Sequence, residues 1–166
     1  YVSAFEWALG RGYDLVFEMD CDFSHDPIDL PRFLVAIECA DMVLGSRYIQ
    51  GGRTPDWGLH RRLISLGGNL LSRLLLRLRT HDCTGGYRCY RADLLRRVPL
   101  DQIRAQGYAF QVGMVYHVER LGGRVLEIPI TFHDRRVGES KMSGGIVREA
   151  LVYVVCLALS NTRGDR

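Results

Sequence analysis

The chain of 166 residues is 47% hydrophobic and 25% charged, an ordinary globular composition at a length that suits one domain with a sizeable core. Its formal net charge of +3 is too small to indicate a nucleic-acid partner, and none is expected; most of its 22 basic residues are arginines, so their placement matters more than their sum. The five cysteines (Cys21, Cys39, Cys83, Cys89 and Cys156) form no CxxC pair and leave one unmatched, which argues against a disulfide framework and for reduced thiols in the cytosol.

In chain order, "YVSAFEWALGRG" carries apolar residues at helical spacing and stops at Gly10 and Gly12. "DLVFEMD" is short and nearly continuously apolar, a strand expected to be buried on both faces. "DLPRFLVAIECA" reads as a helix with Pro31 in its first turn, "DMVLGSRY" as a second strand and "IQGGRTPDWG" as a loop. From His60 to Arg79, Leu63, Leu66, Leu70, Leu74 and Leu78 mark one face of a helix. "HDCTGGYRCY" is a turn entering a strand, "RADLLRRV" a short helix, "YAFQVGMVYHVERLGG" a helix with a glycine stop and "RVLEIPITF" another strand. The polar, basic loop "HDRRVGESKMSGG" leads to a last helix over about 143–159. Strands alternating with helices predict a single α/β domain over 1–166. A helix opens the chain where an α/β unit normally has a strand, so the sequence is expected to begin partway into its domain. The longest apolar run, around Leu151–Leu159, falls well short of the roughly 20 residues that a bilayer-spanning helix needs, and no transmembrane anchor is expected.

The stretch "LVFEMDCDFSHDP" poses the first chemical question, because an apolar strand ends on two closely spaced carboxylates. In open α/β sheets ligands sit beyond the carboxyl ends of the strands, where Asp20 and Asp22 fall. Two carboxylates at i and i+2, brought together by a turn, suit a hard cation such as Mg²⁺ or Mn²⁺, which fills its remaining positions with substrate phosphates. The same residues also suit turn and helix-capping aspartates, and the motif alone leaves both readings open. His25 and Asp26, followed by proline, read as turn chemistry rather than as ligands. Arg47 ends the second strand on the same side, Arg61 and Arg62 start the next helix, and Arg135, Arg136 and Lys141 lie in the last loop. Each alone is an ordinary solvated charge. Converging on one edge, planar guanidiniums match phosphate oxygens, so the pattern points to a metal-bound diphosphate beside a second anionic group.

Six segments, "EMDCDFSHDP", "VLGSRYIQGG", "HRRLISLGGN", "DCTGGYRCYR", "GYAFQ" and "EIPITFHDRRVGESKMS", occur in this order. They resemble the polyprenol-phosphate sugar synthases of glycosyltransferase family 2, most closely the dolichyl-phosphate mannosyltransferases, from Tyr1 to about Leu151. The resemblance implies a GT-A fold, a mixed sheet with flanking helices, here without its N-terminal strand. It implies metal-dependent, inverting transfer of mannose from GDP-mannose to dolichyl or polyprenyl phosphate. On this resemblance Asp20 and Asp22 hold Mg²⁺ or Mn²⁺ on the donor diphosphate, with Ser24 a further donor-side residue. Arg47, Arg61 and Ser65 bind the acceptor phosphate, Arg135 and Lys141 belong to a loop that closes over it, and Asp20, Asp22, Arg47 and Arg135 form the catalytic set. A phosphate-monoester nucleophile, with a second pKa of about 6, is largely ionised near neutral pH and needs no strong general base.

Three departures from the family pattern bear on this reading. The N-terminal nucleotide-binding strand is missing, Cys21 stands where Ala is common, and Gly113 stands where relatives usually carry Glu, on a helix expected to face the donor site. Weak GDP-mannose binding by residues 1–166 alone is therefore expected. "TGGYRCY" and "GESKMS" favour mannose; the competing readings are a glucosyltransferase using UDP-glucose and a non-catalytic fragment of such an enzyme. A lipid acceptor requires contact with a bilayer. The helix over 60–79, with Arg73 and Arg77 among its leucines, is read as core-packing rather than interfacial, and Leu151–Leu159 as the attachment segment. Peripheral association with the cytoplasmic face of a membrane is the expected location.

Overall fold

The computed structural model describes residues 1–103, 105–134 and 144–164. Four short strands, β1 (Leu15–Glu18), β2 (Met42–Ser46), β3 (Arg88–Arg91) and β4 (Val125–Pro129), form one mixed sheet in the order β1-β3-β2-β4. β3 runs antiparallel to both neighbours, with Cys89 opposite Phe17 of β1 and Val43 of β2, while β2 and β4 are parallel, with Leu44 opposite Glu127. β1, β2 and β4 therefore point the same way. The chain leaves all three at one end of the sheet and enters β3 at that same end, so the segments around Asp20, Arg47, Gly86 and Thr131 share one edge.

Among the described residues six helices flank the sheet: α1 (Val2–Gly10), α2 (Leu30–Ala36), α3 (Leu59–Leu76), α4 (Ala92–Leu95), α5 (Gly107–Arg120) and α6 (Gly144–Gly164). Pro31 lies in the first turn of α2, where its missing N–H has no intrahelical partner to lose. β2 is buried at every position, and its alternating side chains divide the core in two. Met42 and Leu44, with Val16 and Tyr90, face Phe5 of α1, Leu95 of α4, and Phe110 and Met114 of α5. Val43, with Tyr87 and Cys89, faces Phe33 of α2 and Ile37 just beyond it. β1 departs from the expectation of full burial on both faces: Val16 and Glu18 are buried, but Leu15 and Phe17 remain half-buried, because an edge strand is less completely covered. The five cysteines are all free, and Cys83 and Cys89 are buried.

α3 reverses the orientation expected of it. Leu59, Leu63, Leu70 and Leu74 are 73%, 59%, 54% and 68% exposed, while Asn69 and Ser72 are buried. The reason is a polar wall on the inward side. Asn69 Nδ2 donates to Ser65 O (3.0 Å) and Thr84 Oγ1 (3.0 Å), its Oδ1 accepts from Cys83 Sγ (3.1 Å), and Ser72 Oγ donates to Gly68 O (2.8 Å). Matched in this way, polar groups can be buried, and the leucine face is left outside. The helix also stops before Leu78, at the left-handed Arg77 (φ 55°), and Leu78 is buried beyond it. α6 packs on α3 and α5 through Val154, with Leu151, Val152, Val155 and Leu159 exposed. Among the described residues no helix is long and apolar enough to cross a membrane.

Candidate active site

β1 delivers the chain into a tight turn over 20–26. Phe23, exposed, takes a left-handed backbone (φ 65°) that bulky residues rarely adopt. Asp22 Oδ1 accepts from the Ser24 N–H (3.1 Å), and the Asp20 N–H donates to His25 Nδ1 (3.2 Å). His25 is buried, stacked on Tyr87 (4.9 Å) and edge-on to Phe132 (5.2 Å). Burial, and then the nearby charge of Arg47, lower its pKa to about 4, so the ring is neutral near neutral pH with Nδ1 as an acceptor. His25 therefore shapes the turn with the nitrogen that a metal would need. Asp26 caps the 3₁₀ turn Pro27–Asp29 through the Ile28 N–H (3.0 Å).

The Asp20 carboxylate lies against the start of β3. A Cβ on Gly86 would sit in ordinary contact with Asp20 Oδ1 at 3.4 Å, whereas one on Gly85 would crowd Gly45 O at 3.1 Å, so it is the approach of this turn to β2 that favours glycine. Arg88, fully buried, fastens the same turn from below by donating to Gly85 O (2.7 Å), Cys83 O (3.0 Å) and Gln111 O (3.0 Å). Glu18 accepts from Gln111 Nε2 and from Tyr90 Oη (3.4 Å); burial raises its pKa, against the opposing pull of Arg88 and the Gln111 hydrogen bond. Ser24 Oγ is buried without a hydrogen-bond partner among the described residues. Among the described residues no group of three or more His, Cys, Asp or Glu is placed to hold a metal. The oxygen groups on this turn are the carboxylates of Asp20 and Asp22 and the Ser24 hydroxyl, residue types that could hold a hard cation whose other ligands are phosphates and water.

On the neighbouring strand end, Arg47 is buried and forked onto Asp82. Its Nε and Nη2 donate to the two carboxylate oxygens (2.7 Å each), and its backbone N–H donates to Oδ2 (2.9 Å). Nη2 also donates to Thr84 Oγ1 (2.8 Å), while Nη1 makes no hydrogen bond among the described residues. Burial alone would lower the Arg47 pKa, but Asp82 holds it above its usual range; burial alone would raise that of Asp82, but Arg47 holds it below. The guanidinium sits among the rings of Trp57 (5.2 Å), Tyr48 (5.3 Å) and Phe132 (5.5 Å). Arg61 lies over the same Trp57 ring (4.2 Å) and pairs with Asp134, and its Nε is buried without a partner. Ser65 Oγ accepts from Tyr48 Oη (2.6 Å).

These contacts join the two sides. Thr84 Oγ1 accepts from both Arg47 and Asn69, and Asn69 in turn donates to Ser65 O, so Arg47 and Ser65 are linked through the Thr84 hydroxyl and the Asn69 amide. Phe132 touches His25, Arg47 and Trp57, and the His133 N–H donates to Ser24 O (3.2 Å), tying the segment after β4 to the carboxylate turn. Asp20, Asp22, Ser24, Arg47, Arg61 and Ser65 thus fall on one connected surface. Arg62 is exposed. Arg135, Arg136 and Lys141 lie outside the described residues. Gly113 does not face this surface: a Cβ there would meet Tyr153 Oη of α6 at 2.6 Å and Ile103 Cγ2, just before α5, at 3.0 Å. A side chain there would first meet the end of Tyr153 and Ile103 rather than the carboxylate turn, which corrects the expectation that this position borders the donor site. Sequence reasoning missed Asp82 and Thr84 as the partners of Arg47, although both stand in the quoted "DCTGGYRCYR" segment.

A mixed sheet with helices on both faces and a carboxylate turn at its strand ends is the architecture of GT-A nucleotide-sugar transferases. Residues 1–98 match the glycosyl transferase family 2 profile, and the chain belongs to that family. It is 53% identical over 154 residues to an undecaprenyl-phosphate mannosyltransferase of Micrococcus luteus, covering 93% of this chain and 63% of that protein. It is 43% identical over 155 residues to a polyprenol monophosphomannose synthase of Mycolicibacterium smegmatis, covering 93% and 58% respectively. The chain therefore spans about 60% of the length of these relatives. Among solved structures it is similar in fold to glucosyl-3-phosphoglycerate synthase from Mycobacterium tuberculosis in complex with Mn²⁺, uridine diphosphate and phosphoglyceric acid. That likeness has a TM-score of 0.63 at 18% identity, covering 95% of this chain and 54% of the other.

Proposed function

We propose that this chain carries the catalytic region of a polyprenyl-phosphate mannosyltransferase, moving mannose from GDP-mannose to dolichyl or polyprenyl phosphate with inversion, at the cytoplasmic face of a membrane. The observation that carries the reading is the two-sided strand-end surface: a carboxylate turn at Asp20 and Asp22 against Gly86, beside Arg47 and Arg61 on a shared Trp57.

Asp20 and Asp22 would hold Mg²⁺ or Mn²⁺, which supplies charge neutralisation for the departing diphosphate. The unpartnered Ser24 hydroxyl lies beside that pair, ready for a donor phosphate oxygen. On the acceptor side a phosphate oxygen attacks the anomeric carbon, the new C–O bond forms as the bond to GDP breaks, and no proton must be removed first. Arg61, half-buried beside Trp57, and the Nη1 edge of Arg47 would face the acceptor phosphate. Asp134 and Asp82 already offset these two charges, so the net attraction falls to Arg135 and Lys141 of the following loop. The lipid chain has two matching features. An apolar slot of about 70 Å³ between α3, α5 and α6 is lined by Ile64, Val112, Leu151 and Val154, and Ser65 and Thr84 connect it to the arginine side. The exposed leucines of α3 would rest on the bilayer.

The test uses the full-length protein with polyprenyl phosphate and either GDP-mannose or UDP-glucose, with and without chelator. Mannosyl lipid is expected from GDP-mannose, lost on chelation and reduced about a hundredfold or more by Asp20→Asn or Asp22→Asn. Equal or faster transfer from UDP-glucose, or full activity of both variants, would overturn the reading.

A further inference from the structure

At the end of the sheet opposite the carboxylate turn, where β4 begins and α3 and α5 end, lies a cleft of about 440 Å³. Arg77, Arg79, Arg120 and Arg124 line it, together with the carboxylates of Glu119 and Glu127. Both acids are engaged elsewhere. Glu119 accepts from the N–H groups of Arg79 (2.9 Å) and Thr80 (3.0 Å) and from Thr80 Oγ1 (2.6 Å). Glu127 accepts from the N–H groups of His81 (2.8 Å) and Asp82 (3.0 Å), and its Oε2 lies 2.9 Å from His81 Nδ1. With their oxygens taken by the strap 79–82, the two carboxylates have little capacity left for guanidiniums. Among the described residues the side chains of Arg77, Arg79 and Arg124 make no hydrogen bond or ion pair.

Two of the four arginines have another role. Arg77 caps α3, and Arg120, in the last turn of α5, lies over Tyr116; a helix C-terminus favours cations. Arg79 and Arg124 are on no helix and have no such role. Guanidiniums that wall a cavity, with the local acids committed to backbone amides, match the planar, bidentate chemistry of phosphate oxygens.

We propose that this cleft is a second anion site, taking a phosphate group between Arg79 and Arg124, separate from the candidate active site. The strap that carries Arg79 ends at Asp82, whose N–H is held by Glu127 and whose carboxylate holds Arg47, so the cleft and the active surface share one rigid segment. The phosphate belongs either to an anionic phospholipid, which the leucine face of α3 would bring near Arg77, or to a soluble phosphate compound.

Two arms on the full-length protein separate these sources: calorimetric titration with inorganic phosphate, and co-sedimentation with phosphatidylcholine vesicles with or without phosphatidylglycerol. Binding in the first arm identifies a soluble ligand, and a gain that depends on phosphatidylglycerol in the second identifies a lipid head group. In either case Arg79→Ala with Arg124→Ala is expected to weaken binding about tenfold, the paired lysine substitutions to recover part of it, and Arg96→Ala, at an exposed arginine outside the cleft, to leave it unchanged. No binding in both arms, or binding insensitive to the double alanine substitution, would overturn the proposal. Binding is the readout, so the result is independent of whether sugar transfer is observed.

Discussion

α5 and α3 lie against the same domain on different terms. α5 is buried continuously from Ala109 to Tyr116, and its core contacts are apolar side chains such as Phe110, Val112 and Met114. α3 is longer and richer in leucine, yet it turns Asn69 and Ser72 inward and Leu59, Leu63, Leu70 and Leu74 outward, with Leu76 buried at its end. What stands opposite a helix decides which face is buried: for α5 it is the apolar sheet face, for α3 the hydrogen-bonded loop that holds Arg47. Truncating a buried apolar side chain on α5 should cost about 2–5 kcal/mol, and truncating a leucine on the α3 stripe within about 0.5 kcal/mol.

The largest expected effect comes from removing the wall itself. Asp82→Ala leaves Arg47 buried without its carboxylate and should destabilise the protein by about 3–5 kcal/mol in denaturant unfolding. A loss under about 1 kcal/mol would mean that α3 does not depend on this network. His25, which holds the carboxylate turn, gives a pH-dependent test of the same polar wall. Its pKa is about 4 in the fold against 6.5 as the ordinary value, so the unfolded chain takes up its proton first. Its contribution is complete above pH 6.5 and declines as pH falls towards 4, by at most about 3 kcal/mol. Thermal melts over that range should show the slope in the native protein and a flatter one in His25→Gln. The smallest effect on stability is expected from Leu70→Ala combined with Leu74→Ala, whose unfolding midpoint should barely move while vesicle binding falls about tenfold or more. Destabilisation on the scale of a core residue would instead place that face in a buried contact.

The placement of Asp20 and Arg47 was legible because both end apolar strand segments, and strands that run the same way release their chains at one edge. The family was legible from six ordered segments, and the comparisons bear it out. The partners were not legible. Arg47 and Asp82 are separated by 35 positions, and nothing local indicates that the fork of Arg47 closes on an aspartate before it meets a ligand. Gly113 shows the same limit: its place in the "FQVGM" segment was clear, but its direction depends on where α6 packs.

By itself, then, the sequence determined the periodicities, the strand ends that carry chemistry and the ordered motifs that place the chain in its family. Each of these follows from residue type and spacing along a single segment. The tertiary structure alone decided which medium each face meets. The 3.6-residue repeat of α3 announces a leucine face, but whether that face turns to core or to surface depends on Asn69 finding Thr84, a contact between segments that no local pattern encodes.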